Sequence, residues 1–371
     1  MCGIVGYIGD KQAYPIVING LKRLEYRGYD SAGICIVNKN PYTAKCKGKV
    51  TDLEKFIGNN STTGTIGIGH TRWATHGEPN DINAHPHESM SGKFILIHNG
   101  IIENYSSLKS KLEKRGYTFK SDTDTEVLVN LIEYIYQKGH VTAEIAVRLA
   151  LTKVVGAYGI VVISRDEPNT LIAARKGSPL VIGVGNGEYF VASDATPIVE
   201  YTNSVIFLND NDVAILRKNE MVLKTIYNEA LEPNIQTLDL DIEAIEKGGF
   251  DHFMLKEIFE QPRSIHDTFR GRITTNPHDI HLGGLYKVIP AMVDAKRIIL
   301  IGCGTSWHAA LVGEYLMEDL ARIPVEVEYA SEFRYRNPVI YKDDVVIAIS
   351  QSGETADTLA AIRLAKQAGA L

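Results

Sequence analysis

Short apolar runs separated by polar turns fill the first two-thirds of the chain. Each run has the length and the β-branched residues of a strand. Together they predict nine strands: Gly3–Ile8, Ala32–Val37, Ile66–His70, Phe94–His98, Gly159–Ser164, Leu171–Ala174, Tyr189–Ala192, Val205–Leu208 and Val213–Arg217. The clearest helical pattern runs from Asp124 to Lys138, with one apolar face made of Val127, Leu128, Leu131, Ile132 and Ile135. Many strands with a few long helices favour antiparallel sheets covered by helices.

A different rhythm begins after the polar stretch at residues 239–249. A strand, a loop rich in glycine and serine, and a helix follow one another twice, which is typical of a doubly wound parallel sheet. The strands are predicted at Ile298–Ile301 and Val345–Ile349, and their loops at Gly302–Ser306 and Ser350–Thr355. We expect a sheet of about three strands in a chain that ends inside its second domain. The predicted domains are residues 1–240 and 251–371, joined by a linker at 241–250.

Composition narrows the classes of function. The chain has 39 Lys and Arg against 45 Asp and Glu without a basic run, so a nucleic-acid surface is not expected. The start of the chain has no sustained apolar stretch, so neither a signal peptide nor a membrane partner is expected. The four cysteines have no paired spacing, which argues against a zinc site or a disulfide framework and favours the cytoplasm. We expect no metal and no cofactor.

Cys2 is the first candidate for chemistry, in the segment Cys2-Gly3-Ile4-Val5-Gly6. Removal of Met1 would free an α-amino group with a pKa of about 7.7 to 8.0. That amine could accept the thiol proton, so nucleophile and base would belong to one residue. The alternative is a small buried hydrophobic residue at the start of a strand.

Two further segments combine polar groups suited to a small ligand. The run from His70 to Gly77 contains Arg72, whose planar fork suits a carboxylate, and Trp73, which could close over a ligand. The alternative there is a solvated loop with a partly buried indole. The run Ser121–Glu126 opens the long helix, where Asp124 could bind an ammonium group or merely complement the helix dipole.

The pair Asn99-Gly100 between apolar runs predicts a tight hairpin turn. Such a turn would also expose the Asn99 amide and the Gly100 N–H, two donors for a developing oxyanion.

In the second domain, the two loops would present backbone N–H groups and hydroxyls at helix N-termini, as phosphate sites do. Neither loop has a P-loop lysine or the full G-x-G-x-x-G pattern, which favours a small phosphorylated ligand over a nucleotide. Ordinary strand-to-helix turns are the alternative.

Taken together, the motifs resemble the glutaminase half and part of the first sugar-isomerase (SIS) domain of the glucosamine-6-phosphate synthase family, which are isomerising glutamine:fructose-6-phosphate aminotransferases. The motifs are Cys2–Gly6, Arg23–Gly33, His70–Pro79, Asn83–His87, His98–Gly100, Thr123–Glu126, Ser331–Arg336 and Ser350–Thr355. The resemblance implies an N-terminal-nucleophile hydrolase sandwich of four αββα layers, followed by an incomplete doubly wound α/β SIS domain.

The resemblance also implies roles for residues of the first domain. Cys2 would attack the side-chain amide of L-glutamine, and Asn99 with Gly100 would stabilise the oxyanion. The α-carboxylate would be held by Arg72, Thr75 and His76, and the α-ammonium by Asp124 and the Gly100 carbonyl. Trp73 would gate the site, and Arg27 would lie on a loop that folds over it.

For the second domain, the resemblance implies that ammonia is passed to fructose 6-phosphate. The sugar phosphate would be held by Thr305, Ser306, Ser350, Gln351, Ser352 and Thr355, with Cys303 nearby. The family works as a homodimer, and the residues credited with isomerisation lie beyond Leu371, so we expect this chain to be a fragment with its glutaminase half intact. Two alternatives remain open, namely a glutaminase with another acceptor and a non-catalytic sensor of glutamine or sugar phosphate.

Overall fold

The computed structural model describes residues 2–25, 28, 30–38, 40–58, 62–73, 78–238, 250–269, 272–275, 278–280, 282, 285, 288–351, 353 and 355–371. The chain divides into two compact units, Met1–Gly249 and Phe250–Leu371. The predicted domain boundaries stay predictions, because nearly all of the linker at 241–250 lies outside the described residues. Within the described parts of the chain, no helix is long and apolar enough to span a membrane.

The first unit is built from two large sheets and five helices among its described residues. Its helices are α1 (Ala13–Leu24), α2 (Val50–Ile57), α3 (Tyr105–Glu113), α4 (Asp124–Gly139) and α5 (Ala143–Leu151). Its strands are β1 (Gly3–Ile8), β2 (Ser31–Val37), β3 (Pro41–Lys47), β4 (Ile66–Arg72), β5 (His87–Glu88), β6 (Phe94–Ile102), β7 (Gly156–Ser164), β8 (Leu171–Lys176), β9 (Val181–Val184), β10 (Tyr189–Ala192), β11 (Ser204–Phe207), β12 (Asp212–Arg217), β13 (Glu220–Thr225), β14 (Ala230–Leu231) and β15 (Gln236–Thr237).

The strands form one eight-stranded and one seven-stranded sheet. The first has the order β15-β11-β9-β10-β1-β4-β2-β3, and the second has the order β14-β13-β12-β8-β7-β6-β5. Neighbouring strands pair antiparallel in both sheets. The prediction of antiparallel sheets is therefore confirmed.

Alternation of side chains along the strands produces four layers. On β1, Ile4 and Ile8 face the core between the two sheets, whereas Val5 and Tyr7 pack in the cluster that includes α1 and α2. On β6, Ile97 faces the core between the sheets. The central core is thus sandwiched between two sheets, and the clusters outside them bury the apolar faces of α1 and α2 on one side and of α3, α4 and α5 on the other.

The predicted hairpin turn at Asn99-Gly100 is wrong. Strand β6 continues through both residues to Ile102, and Asn99 pairs with Gly159 and Gly100 with Tyr158 on β7. Gly100 has φ +126°, a backbone conformation that glycine adopts without cost. The strand therefore accommodates this residue without leaving the ladder, and pairing with β7 overrides the local turn signal.

The second unit contains a small parallel sheet with helices on both faces, as predicted. Its helices are α6 (Phe253–Phe269), α7 (Ile289–Val293), α8 (Thr305–Ala321), α9 (Ala330–Tyr335) and α10 (Ala356–Ala368). Its strands are β16 (Ile273–Thr275), β17 (His278–Ile280), β18 (Arg297–Gly302), β19 (Val325–Tyr329) and β20 (Asp344–Ala348). The three-stranded order is β19-β18-β20 with both pairs parallel, while β16 and β17 form a separate antiparallel pair.

Candidate active site

Cys2 lies immediately before β1, a central strand of the eight-stranded sheet. Gly3 makes this position possible, because a Cβ there would lie 2.6 Å from Thr71 Oγ1 and 2.8 Å from Leu24 Cβ. The start of β1 therefore packs closely on β4 and α1. This packing brings Cys2 beside the end of β4, where the backbone N–H of Trp73 donates to Cys2 Sγ at 3.1 Å.

The surroundings of the Cys2 thiol favour its protonated form. Burial raises its pKa above the ordinary value, and the Trp73 N–H, the positive charge of the N-terminus and that of Arg72 oppose this effect only in part. Attack by this sulfur therefore requires a base to remove its proton. The hydrogen bond from Trp73 would then stabilise the thiolate as it forms.

Asn99 approaches Cys2 from the opposite sheet. Its side-chain Nδ2 donates to the carbonyl oxygen of Cys2 at 3.1 Å, and the residue is only 8% exposed. Gly100 follows on the same strand and is exposed. A Cβ at Gly100 would lie 2.2 Å from the carbonyl oxygen of Ala157, so glycine is required here. The arrangement places an amide donor at the backbone of the residue that carries the candidate nucleophile.

Two oppositely charged side chains are buried around these elements. Arg72 ends β4, is 4% exposed, and donates through Nη1 to the Glu78 carbonyl at 3.5 Å. Asp124 begins α4, is 6% exposed, and accepts through Oδ2 from the N–H of Ile102 at 2.8 Å. Ile102 ends the strand that carries Asn99, so one strand connects the amide to the carboxylate. The N-cap of α4 is supplied by another residue, Thr123.

Trp73 lies at the surface of this region with its residue 56% exposed. The loop after α1 packs against its indole at Gly28, where an added Cβ would lie 2.9 Å from Trp73 Cε3. The same loop is joined to β4 by a hydrogen bond from Asp30 N–H to the Arg72 carbonyl at 2.8 Å. Three residues predicted for the glutamine site lie outside the described residues: Arg27, Thr75 and His76.

Sequence reasoning did not assign a role to four buried histidines near Asn99. They are His70, His85, His87 and His98, each at most 5% exposed. His70 Nε2 lies 2.9 Å from Asn99 Oδ1, and His85 Nδ1 lies 3.2 Å from His70 Nε2. Their density was the available signal, because five of the eleven histidines of the chain fall between residues 70 and 98.

In the second unit, most of the predicted sugar-phosphate residues lie on two loops at one edge of the sheet or at the start of the helix that follows. This follows from the parallel pairing of β18 and β20, whose carboxyl ends meet at that edge. The loops carry Cys303, Ser350, Gln351 and Thr355, and the first turn of α8 carries Thr305 and Ser306. Ser352 lies outside the described residues. Thr305 begins α8 and Thr355 is the N-cap of α10, so two helix N-termini face this edge. The arrangement suits an anion.

Among the described residues, no group of three or more His, Cys, Asp or Glu side chains could hold a metal ion.

Comparisons with known proteins agree with this architecture. A family model described as a glutamine amidotransferase domain matches residues 57–239, and one described as a SIS domain matches residues 291–371. The glutamine–fructose-6-phosphate aminotransferase (isomerizing) of Chlorobaculum tepidum is 57% identical over 100% of this chain and 61% of its own length. The protein of the same name from Pyrococcus horikoshii is 47% identical over 100% of this chain and 60% of its own length.

Two solved structures share the fold at 21% sequence identity. A glutamine phosphoribosylpyrophosphate amidotransferase from B. subtilis, complexed with ADP and GMP, has a TM-score of 0.54 over 88% of this chain and 65% of its own. A structure described as the allosteric regulatory enzyme of purine biosynthesis has a TM-score of 0.56 over 100% of this chain and 79% of its own. These similarities, with the layers described above, identify the N-terminal-nucleophile type of sandwich.

The chain spans about three-fifths of the length of the curated relatives that it matches. Over its whole length it is similar to them, and its two matched domains occur in the order predicted from the motifs. The chain belongs to the glutamine–fructose-6-phosphate aminotransferase (isomerizing) family.

Proposed function

We propose that this chain hydrolyses the side-chain amide of glutamine with Cys2 as the nucleophile. The observation that carries the proposal is the approach of Asn99 to Cys2 from the facing sheet, with Nδ2 at 3.1 Å from the Cys2 carbonyl. A nucleophile needs a donor that stabilises the oxyanion it creates, and this amide lies next to the sulfur-bearing residue. The family membership of the chain supports the same chemistry.

The reaction begins with a proton transfer. Removal of Met1 frees the α-amino group of Cys2, which accepts the thiol proton that the buried site otherwise retains. The sulfur then forms a bond to the carboxamide carbon, and the resulting oxyanion is held by the Asn99 amide and the Gly100 N–H. Collapse breaks the C–N bond, and the α-ammonium returns a proton to the leaving ammonia. Water hydrolyses the thioester that remains and releases glutamate.

The charged side chains orient the substrate. In this proposal, Arg72 pairs with the α-carboxylate of glutamine together with Thr75 and His76, and Asp124 pairs with the α-ammonium. Burial of Arg72 and Asp124 supports these roles, since paired charges interact more strongly away from water. Trp73 and the loop that contains Arg27 would cover the bound amino acid. The closeness of Gly28 to the indole supports a shared role of these two parts in covering the substrate.

For the whole protein, we propose that ammonia is transferred to fructose 6-phosphate, giving glucosamine 6-phosphate. The names of the relatives and the two helix N-termini at one sheet edge support this acceptor. Its phosphate would contact Thr305, Ser306, Ser350, Gln351, Ser352 and Thr355, near Cys303. We further propose that the full-length protein is a cytoplasmic homodimer, and the four free cysteines fit a reducing compartment.

Glutamate release by the purified chain after Met1 removal tests the glutaminase proposal. Cys2→Ala should abolish it, whereas Cys46→Ala, a substitution on β3 away from the site, should leave it intact. Equal glutamate release by wild type and Cys2→Ala would overturn the proposal. Adding fructose 6-phosphate to the full-length protein tests the acceptor separately, since glucosamine 6-phosphate should then appear.

A further inference from the structure

His70 faces two oxygen acceptors with the same ring nitrogen. Its Nε2 lies 3.0 Å from the His98 carbonyl oxygen and 2.9 Å from Asn99 Oδ1. A carbonyl oxygen can only accept a hydrogen bond, so Nε2 must carry a hydrogen. The contact with the backbone of His98 therefore fixes this nitrogen as a donor, whichever way the Asn99 amide points.

The rest of the ring is consistent with a single neutral tautomer. Burial lowers the pKa of His70 to about 3, so at neutral pH the ring has one proton, and it is on Nε2. Nδ1 is then bare, which agrees with its burial without a hydrogen-bond partner among the described residues. His85 Nδ1, at 3.2 Å from the same Nε2, is left as a further acceptor.

This proton determines the orientation of the Asn99 amide. A donor at His70 requires the amide oxygen to face it, which turns the NH₂ group toward the Cys2 carbonyl. A flipped amide would set NH₂ against the Nε2–H and the amide oxygen against another carbonyl. In that orientation the amide would also repel a developing oxyanion rather than stabilise it.

We propose that His70 is a positioning residue of the glutaminase site, whose Nε2–H holds the Asn99 amide with its NH₂ group facing Cys2. The inference rests on the proposed function, because it assigns the amide to the oxyanion. His70 acts through Asn99 and does not itself touch the substrate. The loss on removing its donor cannot exceed the loss on removing the amide, which is on the order of 10²- to 10³-fold in turnover.

A pair of polar substitutions separates the donor from the bulk of the ring. The amide nitrogen of His70→Gln can reach the place of Nε2, whereas the shorter amide of His70→Asn reaches only the place of Nδ1. We expect His70→Gln to keep most of the wild-type kcat, and His70→Asn to lose at least about 10-fold. KM for glutamine should stay unchanged in both, because Arg72 and Asp124 are untouched. The shape of the pH profile should also stay unchanged, since His70 transfers no proton.

The double variant of His70→Asn with Asn99→Ala tests whether His70 acts through the amide. We expect no loss of kcat beyond that of Asn99→Ala alone, because the group that His70 orients is already gone. The same fold-loss in both backgrounds, or equal activity of His70→Gln and His70→Asn, would overturn the proposal. If Asn99→Ala and Cys2→Ala lose turnover while both His70 variants keep it, this inference fails and the glutaminase stands. If Cys2→Ala keeps turnover, the proposed function itself fails.

Discussion

At the scale of single residues, the proposed mechanism assigns to the Asn99 amide the oxyanion that attack by the Cys2 sulfur would create. In that mechanism, Asn99→Ala would remove a donor, seen here on the Cys2 carbonyl, that acts in the transition state more than in the ground state. We expect kcat for glutamine hydrolysis to fall about 10²- to 10³-fold, or about 2.7 to 4 kcal/mol, with little change in KM. Steady-state glutamate release measures both constants.

Asn104→Ala is the matched control for that experiment. Asn104 lies two residues beyond the end of β6 and binds the backbone of Lys153 and Val155, so its loss affects a turn and not the site. An Asn99→Ala chain with the turnover number of the wild type would contradict the assigned role.

Arg72 differs from Asn99 because it would hold the substrate in both the ground state and the transition state. Arg72→Lys keeps the charge but loses the planar fork that pairs with a carboxylate. We expect KM for glutamine to rise by about 10- to 100-fold at nearly constant kcat, from the loss of about 1.5 to 3 kcal/mol of charged hydrogen bonding. Arg165→Lys is the control, because Arg165 forms an exposed ion pair with Glu88. A fall in kcat alone would show that the carboxylate is bound elsewhere.

At the scale of elements, β6 organises the site. It presents Asn99, bears Gly100, and ends at Ile102, whose N–H holds Asp124 at the start of α4. Strand β7 pairs with β6 along its entire length. The geometry of the amide and the carboxylate therefore depends on one uninterrupted strand.

Gly100→Ala tests this dependence. An alanine there combines a positive φ with a Cβ placed 2.2 Å from the Ala157 carbonyl, so β6 and β7 must separate. We expect a loss of unfolding free energy of about 2 to 4 kcal/mol, together with lower turnover. Urea unfolding measures the first and glutamate release the second.

Gly116→Ala provides the comparison, since Gly116 also has a positive φ but no heavy atom within 4 Å of a Cβ. Its loss should be limited to about 1 to 2 kcal/mol of backbone strain. Equal losses at the two positions would show that β6 and β7 tolerate the added carbon.

Strands and helices with strong apolar patterns were predicted correctly from the sequence, whereas segments with weak apolar patterns were not. All nine predicted strands are present, and α4 extends one residue beyond its prediction. Strand β3 was missed because its segment Pro41–Lys47 mixes lysines and a proline with few apolar residues. The turn at Asn99-Gly100 was predicted from a local rule, but pairing over a sequence distance of about sixty residues decided the outcome. Pairing between segments so far apart cannot be inferred from the residues of the short segment alone.

Residues of the candidate site could be named from the sequence only where they stand in motifs. Cys2, Arg72, Asn99 and Asp124 were named from the sequence, and the structure describes all of them in the first unit. The orienting role of His70 was not predictable, because it depends on a contact between β4 and β6, which belong to different sheets. Only the folded chain shows that the ring nitrogen meets a carbonyl and an amide together.

At the scale of the whole molecule, the buried histidines make folding sensitive to pH. Burial lowers the pKa of His70 to about 3 and those of His85 and His87 well below their ordinary value. In the unfolded chain these rings titrate near pH ~6.5. Below that pH the rings are protonated in the unfolded chain but stay neutral in the folded chain. The free energy of unfolding therefore decreases as the pH falls toward the pKa values of the folded state. Each ring lowers the free energy of unfolding by up to about 1.4 kcal/mol for each pH unit of this decrease.

Urea unfolding at pH 7.5 and pH 5.5 checks this linkage, with hydrogen exchange of peptides from the first unit as the probe. His70→Gln should reduce the loss of stability between the two pH values. Glutamine does not titrate, so the unfolded variant binds one proton fewer than the unfolded wild type. The exposed His140→Asn is the control, and its asparagine also tolerates the left-handed backbone found there. Identical pH dependence in wild type and His70→Gln would show that His70 is not a buried neutral ring.

The central claim is that Cys2 becomes a nucleophile when its own amine is free. Mass spectrometry of the chain after exposure to a glutamine-like electrophile tests it most directly. The account predicts one covalent adduct on Cys2 in chains that have lost Met1, none in chains that keep it, and protection of the sulfur by added glutamine. An unmodified Cys2 in fully processed chains, or equal modification with Met1 retained, would contradict it.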